Sequence, residues 1–221
     1  SEPLNQSYNC KDRHNAYPYN YMIGSEAQRR DAIDYLKLSL EMAKEMGAEF
    51  VLTSPANGGY LATYDQLWSR LEKNIQELGD YAAKLEIKLV VEALTPYESN
   101  FFTRANDLVE LFRRVDNPYV VGMCDIVPPF VQHESIMAYF DKLGNKMDHM
   151  HIIDGENGSD THLIPGEGNI PIKEMLYEMK RIGYDKTATL ELVTNYINEP
   201  RFYAKRAIDN MRELMAEAGI V

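Results

Sequence analysis

Cysteine is nearly absent from this chain: Cys10 and Cys124 are the 2 among 221 residues. Two thiols build no disulfide framework, and no CxxC redox or zinc spacing occurs, so a reducing cytoplasm is the expected setting. Basic residues are in deficit, with 23 Lys and Arg against 34 Asp and Glu and a formal net charge of −11. That balance argues against non-specific binding to nucleic acid or to an anionic membrane, both of which need a basic face. No apolar run approaches the roughly 20 residues of a membrane span, and the N-terminus shows no signal-peptide pattern. P-loop, nucleophile-elbow and zinc-finger spacings are missing too. The expected partner is therefore a small molecule, with neither nucleic acid nor membrane, and a homo-oligomer stays open.

Hydrophobic residues make up 45% of the chain and charged residues 26%, enough for one large core. Apolar runs of strand length alternate with amphipathic stretches. Strands are expected at 50–53, 89–92, 120–125, 149–153 and 187–192. Helices are expected at 25–46, from Thr63 through Leu85, and at about 104–115, 135–143, 171–182 and 200–217. Ser25 with Gln28, and Thr63 with Gln66, have capping-box spacing, and Gly47 is a helix stop. Strict alternation with continuous apolar strands reads as an α/β chain whose parallel sheet is buried on both faces. Five strands fall short of the eight of a closed (β/α)8 barrel. Residues 1–24, rich in Asn, Tyr, Pro and Asp, read as a long loop. The choice lies between an open sheet and a barrel lacking its first three strands in this chain, in one domain over 1–221.

Glu92, Asp125, His151 and Glu191 sit at or near the ends of four of these runs. Each carboxylate alone reads equally well as a solvated strand end. Their recurrence in successive βα units points instead to a shared site, and three carboxylates with one imidazole are a ligand set for Mn, Co or Mg. In parallel barrels catalytic groups gather at the C-terminal strand ends. Alternation sets His149 on the same side as His151, with Met150 opposite, so His149 is a supporting or lining group. Cys124, beside Asp125, is inert packing. The loop 154–168 is long for a βα connection and suits a lid or binding loop. Glu98 and Asn100 follow the Glu92 strand end closely enough to meet a substrate, or else form a solvated turn around Pro96. Tyr17-Pro18-Tyr19-Asn20-Tyr21 reads as a pocket wall or a packed loop.

Several of these segments resemble the xylose-isomerase-like TIM-barrel family of sugar isomerases and epimerases. They are Tyr17–Asn20 leading to Arg29-Arg30, Leu94–Asn100, Tyr139–Gly144, Ser159–His162, Ile164–Gly168, and Glu191–Thr194 through Asn198–Arg201. The resemblance implies a (β/α)8 TIM barrel, here without its first two to three strands. It implies Glu92, Asp125, His151 and Glu191 as metal ligands, with Glu92 and Glu191 also the catalytic acid/base pair. Glu98, His162 and Asn100 become substrate-binding residues. The cofactor is a divalent ion, Mn2+ first, with Co2+ or Mg2+ as alternatives. Pro128 stands where ketose epimerases of this family carry His, and Asp160-Thr161-His162 where they carry Arg. Those departures favour 3-epimerisation of a ketosamine over a plain ketose. Other expectations on the same site are a ketose 3-epimerase, an aldose–ketose isomerase, an inosose-type dehydratase, or a non-catalytic metal- or sugar-binding barrel. A trinuclear zinc endonuclease needs more imidazoles than these five, since His14 and His133 lie away from strand ends.

Overall fold

The computed structural model describes residues 20–193 and 196–220; Cys10, His14, Tyr17, Pro18, Tyr19 and Thr194 lie outside the described residues. The chain divides into two compact units, 1–122 and 123–221.

In the first unit, helix α1 (Glu26–Met46) starts at Ser25, whose hydroxyl accepts from the Gln28 N–H while the Gln28 side chain accepts from Ser25 N. It ends at Gly47, whose φ of 72° fits the left-handed cap that glycine adopts without strain. Strand β1 (Phe50–Thr53) follows, then α2 (Tyr64–Leu85), capped reciprocally by Thr63 and Gln66. The periodic Leu67, Leu71, Ile75, Leu78 and Ala82 are all buried. Strand β2 (Lys88–Val91), helix α3 (Ala105–Arg114) and strand β3 (Val120–Asp125) complete the series. β1 pairs with β2 and β2 with β3, all parallel, with Val91 opposite Gly122. Leu89, Val90, Val91, Leu108 and Leu111 are fully buried. Each such side chain contributes about 1.5–3 kcal/mol through burial. Gly79 lets α2 approach the sheet, since a Cβ there would meet Val120 Cγ2 at 2.5 Å.

The last residues of β3 open the second unit. There α4 (Val127–Val131), α5 (Met137–Leu143) and a 3-10 turn at Gly144–Lys146 lead to β4 (Met147–Ile152). Helix α6 (Ile172–Ile182), strand β5 (Thr187–Leu190) and helix α7 (Pro200–Glu217) follow. Hydrogen-bonded neighbours run in chain order, β1-β2-β3 in the first unit and β3-β4-β5 in the second. β4 and β5 are parallel, with His151 opposite Thr189 and Ile152 opposite Leu190.

One element is new and one expectation needs correction. No element is expected between 125 and 135, yet helix α4 forms there, with Pro128 and Pro129 in its opening turn, where a missing N–H costs nothing. Burial on both faces holds for β3, every residue of which is buried, but Thr187, Ala188 and Thr189 of β5 are exposed. β5 pairs with β4 and with no other strand among the described residues, and such an edge tolerates threonine. No described helix is long and apolar enough to cross a membrane.

Candidate active site

In the first unit Glu92 lies one residue beyond β2. Its N–H donates to Thr53 O at 3.0 Å, extending the β1–β2 ladder, and the residue is buried. Burying a carboxylate is costly without a partner, so its environment must supply one. Glu98 is folded back on its own turn: Oε2 accepts from Thr95 N at 3.2 Å and from Thr95 Oγ1 at 2.8 Å. Asn100 braces a neighbouring loop, its Oδ1 accepting from Gly58 N and its Nδ2 donating to Gly59 O, both at 2.9 Å. Both side chains are thus engaged by backbone or a near neighbour in this structure.

In the second unit Asp125 ends β3 and is buried. Its Oδ1 accepts from Val127 N at 2.8 Å, which holds the carboxylate at the entry of α4. His151 is the penultimate residue of β4, and Glu191 follows the last residue of β5. The pairing of Ile152 with Leu190 sets them side by side, His151 Nδ1 lying 3.1 Å from Glu191 Oε2. From the long loop, His162 approaches the same oxygen at 3.7 Å through Nε2, while its Nδ1 lies 2.7 Å from Asp160 Oδ1. One donor atom each from Asp125, His162 and Glu191 lies within 4.8 Å of the others.

The electrostatics follow from these contacts. Burial opposes ionisation of Glu191, but His151 and His162 overcome it and hold the carboxyl below its usual range. Burial would likewise lower His162; Asp160 and Glu191 outweigh it and push the imidazole up to about 10. His149 goes the other way. Burial, reinforced by the neighbouring His151, lowers it to about 4. Its Nδ1 is 2.7 Å from Thr187 Oγ1 and its Nε2 3.1 Å from Thr189 Oγ1. Its ring stands edge-to-face against His151 with centroids 5.5 Å apart. The side-sharing expected from strand alternation is what makes that ring contact.

The donor set suits a hard divalent cation. Carboxylate oxygens and imidazole nitrogens converge, and the Cys124 thiol donates to the neighbouring Asp125 carbonyl at 3.3 Å. His162, expected from the sequence as a substrate contact, also reaches the candidate ligand Glu191, which the sequence alone does not show. Sequence reasoning missed Asp154, the buried carboxylate at the base of the loop. The legible signal was an Asp closing a strand ahead of a loop with glycines at 155, 158, 166 and 168.

Comparison with known proteins gives a family match over residues 9–214, to the xylose isomerase-like TIM barrel. Fructoselysine 3-epimerase of Shigella flexneri is 47% identical over 92% of this chain and 74% of its own length, and that of Escherichia coli O157:H7 matches to the same extent. A solved D-psicose 3-epimerase with D-tagatose, from Clostridium cellulolyticum H10, superposes with a TM-score of 0.76 at 18% identity, covering 90% of this chain and 76% of that one. A solved IOLI protein with a bound zinc atom superposes at 0.73 and 20% identity, covering 90% and 73%.

Proposed function

Because the chain belongs to the xylose isomerase-like TIM barrel family, we propose that it is a divalent-metal-dependent isomerase that inverts C3 of a ketosamine, interconverting fructoselysine and psicoselysine. The observation that carries this reading is the 47% identity to fructoselysine 3-epimerases over 92% of the chain.

Glu92, Asp125, His151 and Glu191 are the proposed metal ligands, with Mn2+ the preferred ion and Co2+ or Mg2+ as substitutes. When bound, the ion supplies Lewis acidity that polarises the substrate carbonyl and acidifies the adjacent C–H. The proton work falls to the chain. Glu191 is held by its imidazole neighbours in the ionised form that a base requires, while the same contacts lower its proton affinity. Glu92, one residue beyond β2, is the proposed partner on the opposite face of the sugar. Inversion needs two such groups: one takes the C3 proton, the other delivers a proton from the other side of the planar intermediate. His162, held by Asp160, is the proposed substrate-orienting cation, with Glu98 and Asn100 on the β2 side. Pro128, in the opening turn of α4, replaces the imidazole of plain ketose epimerases, which supports a ketosamine.

Incubating the protein with fructoselysine and Mn2+ tests the reading directly by product analysis. Psicoselysine is the expected product. Turnover of free fructose or psicose with none of fructoselysine would overturn the ketosamine assignment.

A further inference from the structure

We infer that Asp154 is a positioning residue for this site: its carboxylate gathers the long loop and thereby fixes His162 against Glu191. The inference rests on the epimerase reading for its catalytic consequence, though not for its structural one.

Asp154 is 1% exposed and both of its carboxylate oxygens serve as acceptors for backbone N–H groups. Oδ1 accepts from Gly155 N at 2.9 Å and Ile170 N at 3.0 Å. Oδ2 accepts from Gly166 N and Gly168 N, both at 2.9 Å. Its backbone also pairs with Leu163, N to O at 2.8 Å and O to N at 2.7 Å. One residue at the end of β4 therefore collects donors from both ends of the loop and closes it like a drawstring. Hydrogen bonds to a charged acceptor are individually worth about 1.5–3 kcal/mol, so four converging on one buried carboxylate hold a loop that has no regular structure of its own. The glycines are part of the device: a Cβ on Gly168 would meet Gly155 O at 2.3 Å and Asp154 Oδ1 at 2.5 Å.

The loop half that Asp154 closes contains Asp160 and His162. His162 holds a φ of 49°, a strained conformation for a side-chain-bearing residue that persists only where its surroundings enforce it. The following stretch has independent ties to the end of the chain. Ile164 N donates to Tyr196 Oη at 3.0 Å, and Asn210 Nδ2 donates to Pro165 O at 3.0 Å. Asp154 thus holds Gly155 at one end of the loop and Gly166, Gly168 and Ile170 at the other, while Ile164 and Pro165 keep ties of their own.

The test is Asp154→Asn, which exchanges one acceptor oxygen for a donor facing two N–H groups. Amide hydrogen exchange should quicken at Gly155, Gly166, Gly168 and Ile170 and over the enclosed 156–163, and stay unchanged at Ile164, whose N–H is held by Tyr196. With fructoselysine, kcat/KM should fall by about 10²-fold, the scale of a small misplacement of a reacting or orienting group. Combined with His162→Ala, the loss should be no greater than for His162→Ala alone, because both changes remove the same contribution. Additive losses, or exchange rates that do not move, would overturn the inference. Should Asp154→Asn not fold, Asp154→Glu keeps two acceptor oxygens but displaces them by a methylene, and the same exchange pattern is expected. A wild-type protein inactive on fructoselysine would refute the epimerase reading while leaving the exchange measurement a full test of Asp154.

Discussion

His151 Nδ1 and Glu191 Oε2 lie 3.1 Å apart across the β4–β5 ladder. The contact brings together a proposed nitrogen ligand and a carboxylate that the imidazoles keep ionised. Such a pair fixes both side chains and keeps the carboxylate ionised, as the proposed ligand and base roles require.

His151→Ala should therefore weaken Mn2+ binding by more than the roughly 10–100-fold that follows loss of an outer supporting group. Calorimetric titration reads this directly. An unchanged affinity would remove His151 from the ligand set.

Metal removal should lower thermal stability. A ligand at 100 times its dissociation constant stabilises the folded state by about 2.7 kcal/mol. Chelator-treated protein should melt lower than protein with Mn2+, and added Mn2+ should restore both the melting temperature and turnover. Equal melting with and without the ion would count against a resident metal.

His149 predicts a pH effect. Its folded-state value of about 4 lies below the ordinary 6.5. The unfolded chain then binds the extra proton across that window, so stability declines as pH falls from about 6.5 to about 4 and rises with pH over the same range. Replacement by Gln, which retains hydrogen bonding toward Thr187 and Thr189, should flatten this part of the profile. Parallel denaturation profiles for wild type and variant would contradict the assignment.

Glu77 predicts a dependence of the same sign at lower pH, in the first unit. It bridges Arg30 at 2.8 Å and Lys37 at 2.6 Å, clasping α2 to α1. Hydrogen bonding to Arg30, against burial and with help from Lys37, lowers its carboxyl from 4.5 to about 2. Its stabilisation is present above about 4.5 and is lost as pH falls through about 2. Because the bridge is partly solvated, Glu77→Gln should cost under about 1 kcal/mol at neutral pH. The difference in urea midpoint should shrink on acidification.

Elements with strong periodicity were legible in the sequence. β3 at Val120–Asp125 and α7 at Pro200–Glu217 fall where the apolar pattern put them. Helix α4 was not, because local propensity reads two prolines as a break while geometry reads them as a first turn. The candidate ligands Asp125, His151 and Glu191 could be named from strand ends, since parallel register carries them to one edge. His162 and Asp154 could only be half read. Their roles depend on how sixteen or so loop residues fold back, a path set by backbone hydrogen bonds to one carboxylate rather than by any repeating pattern. Asn100, expected from its spacing to meet a substrate, also braces Gly58 and Gly59, a tie that no repeating pattern announces.

The central claim is that Glu92 and Glu191 exchange the C3 proton from opposite faces. Nuclear magnetic resonance of fructoselysine incubated in D2O with Mn2+ measures it most directly. Wild type should incorporate deuterium at C3, whereas Glu92→Gln and Glu191→Gln, each still folded, should leave C3 protonated and produce no epimer. Deuterium incorporation retained in both variants would contradict the account.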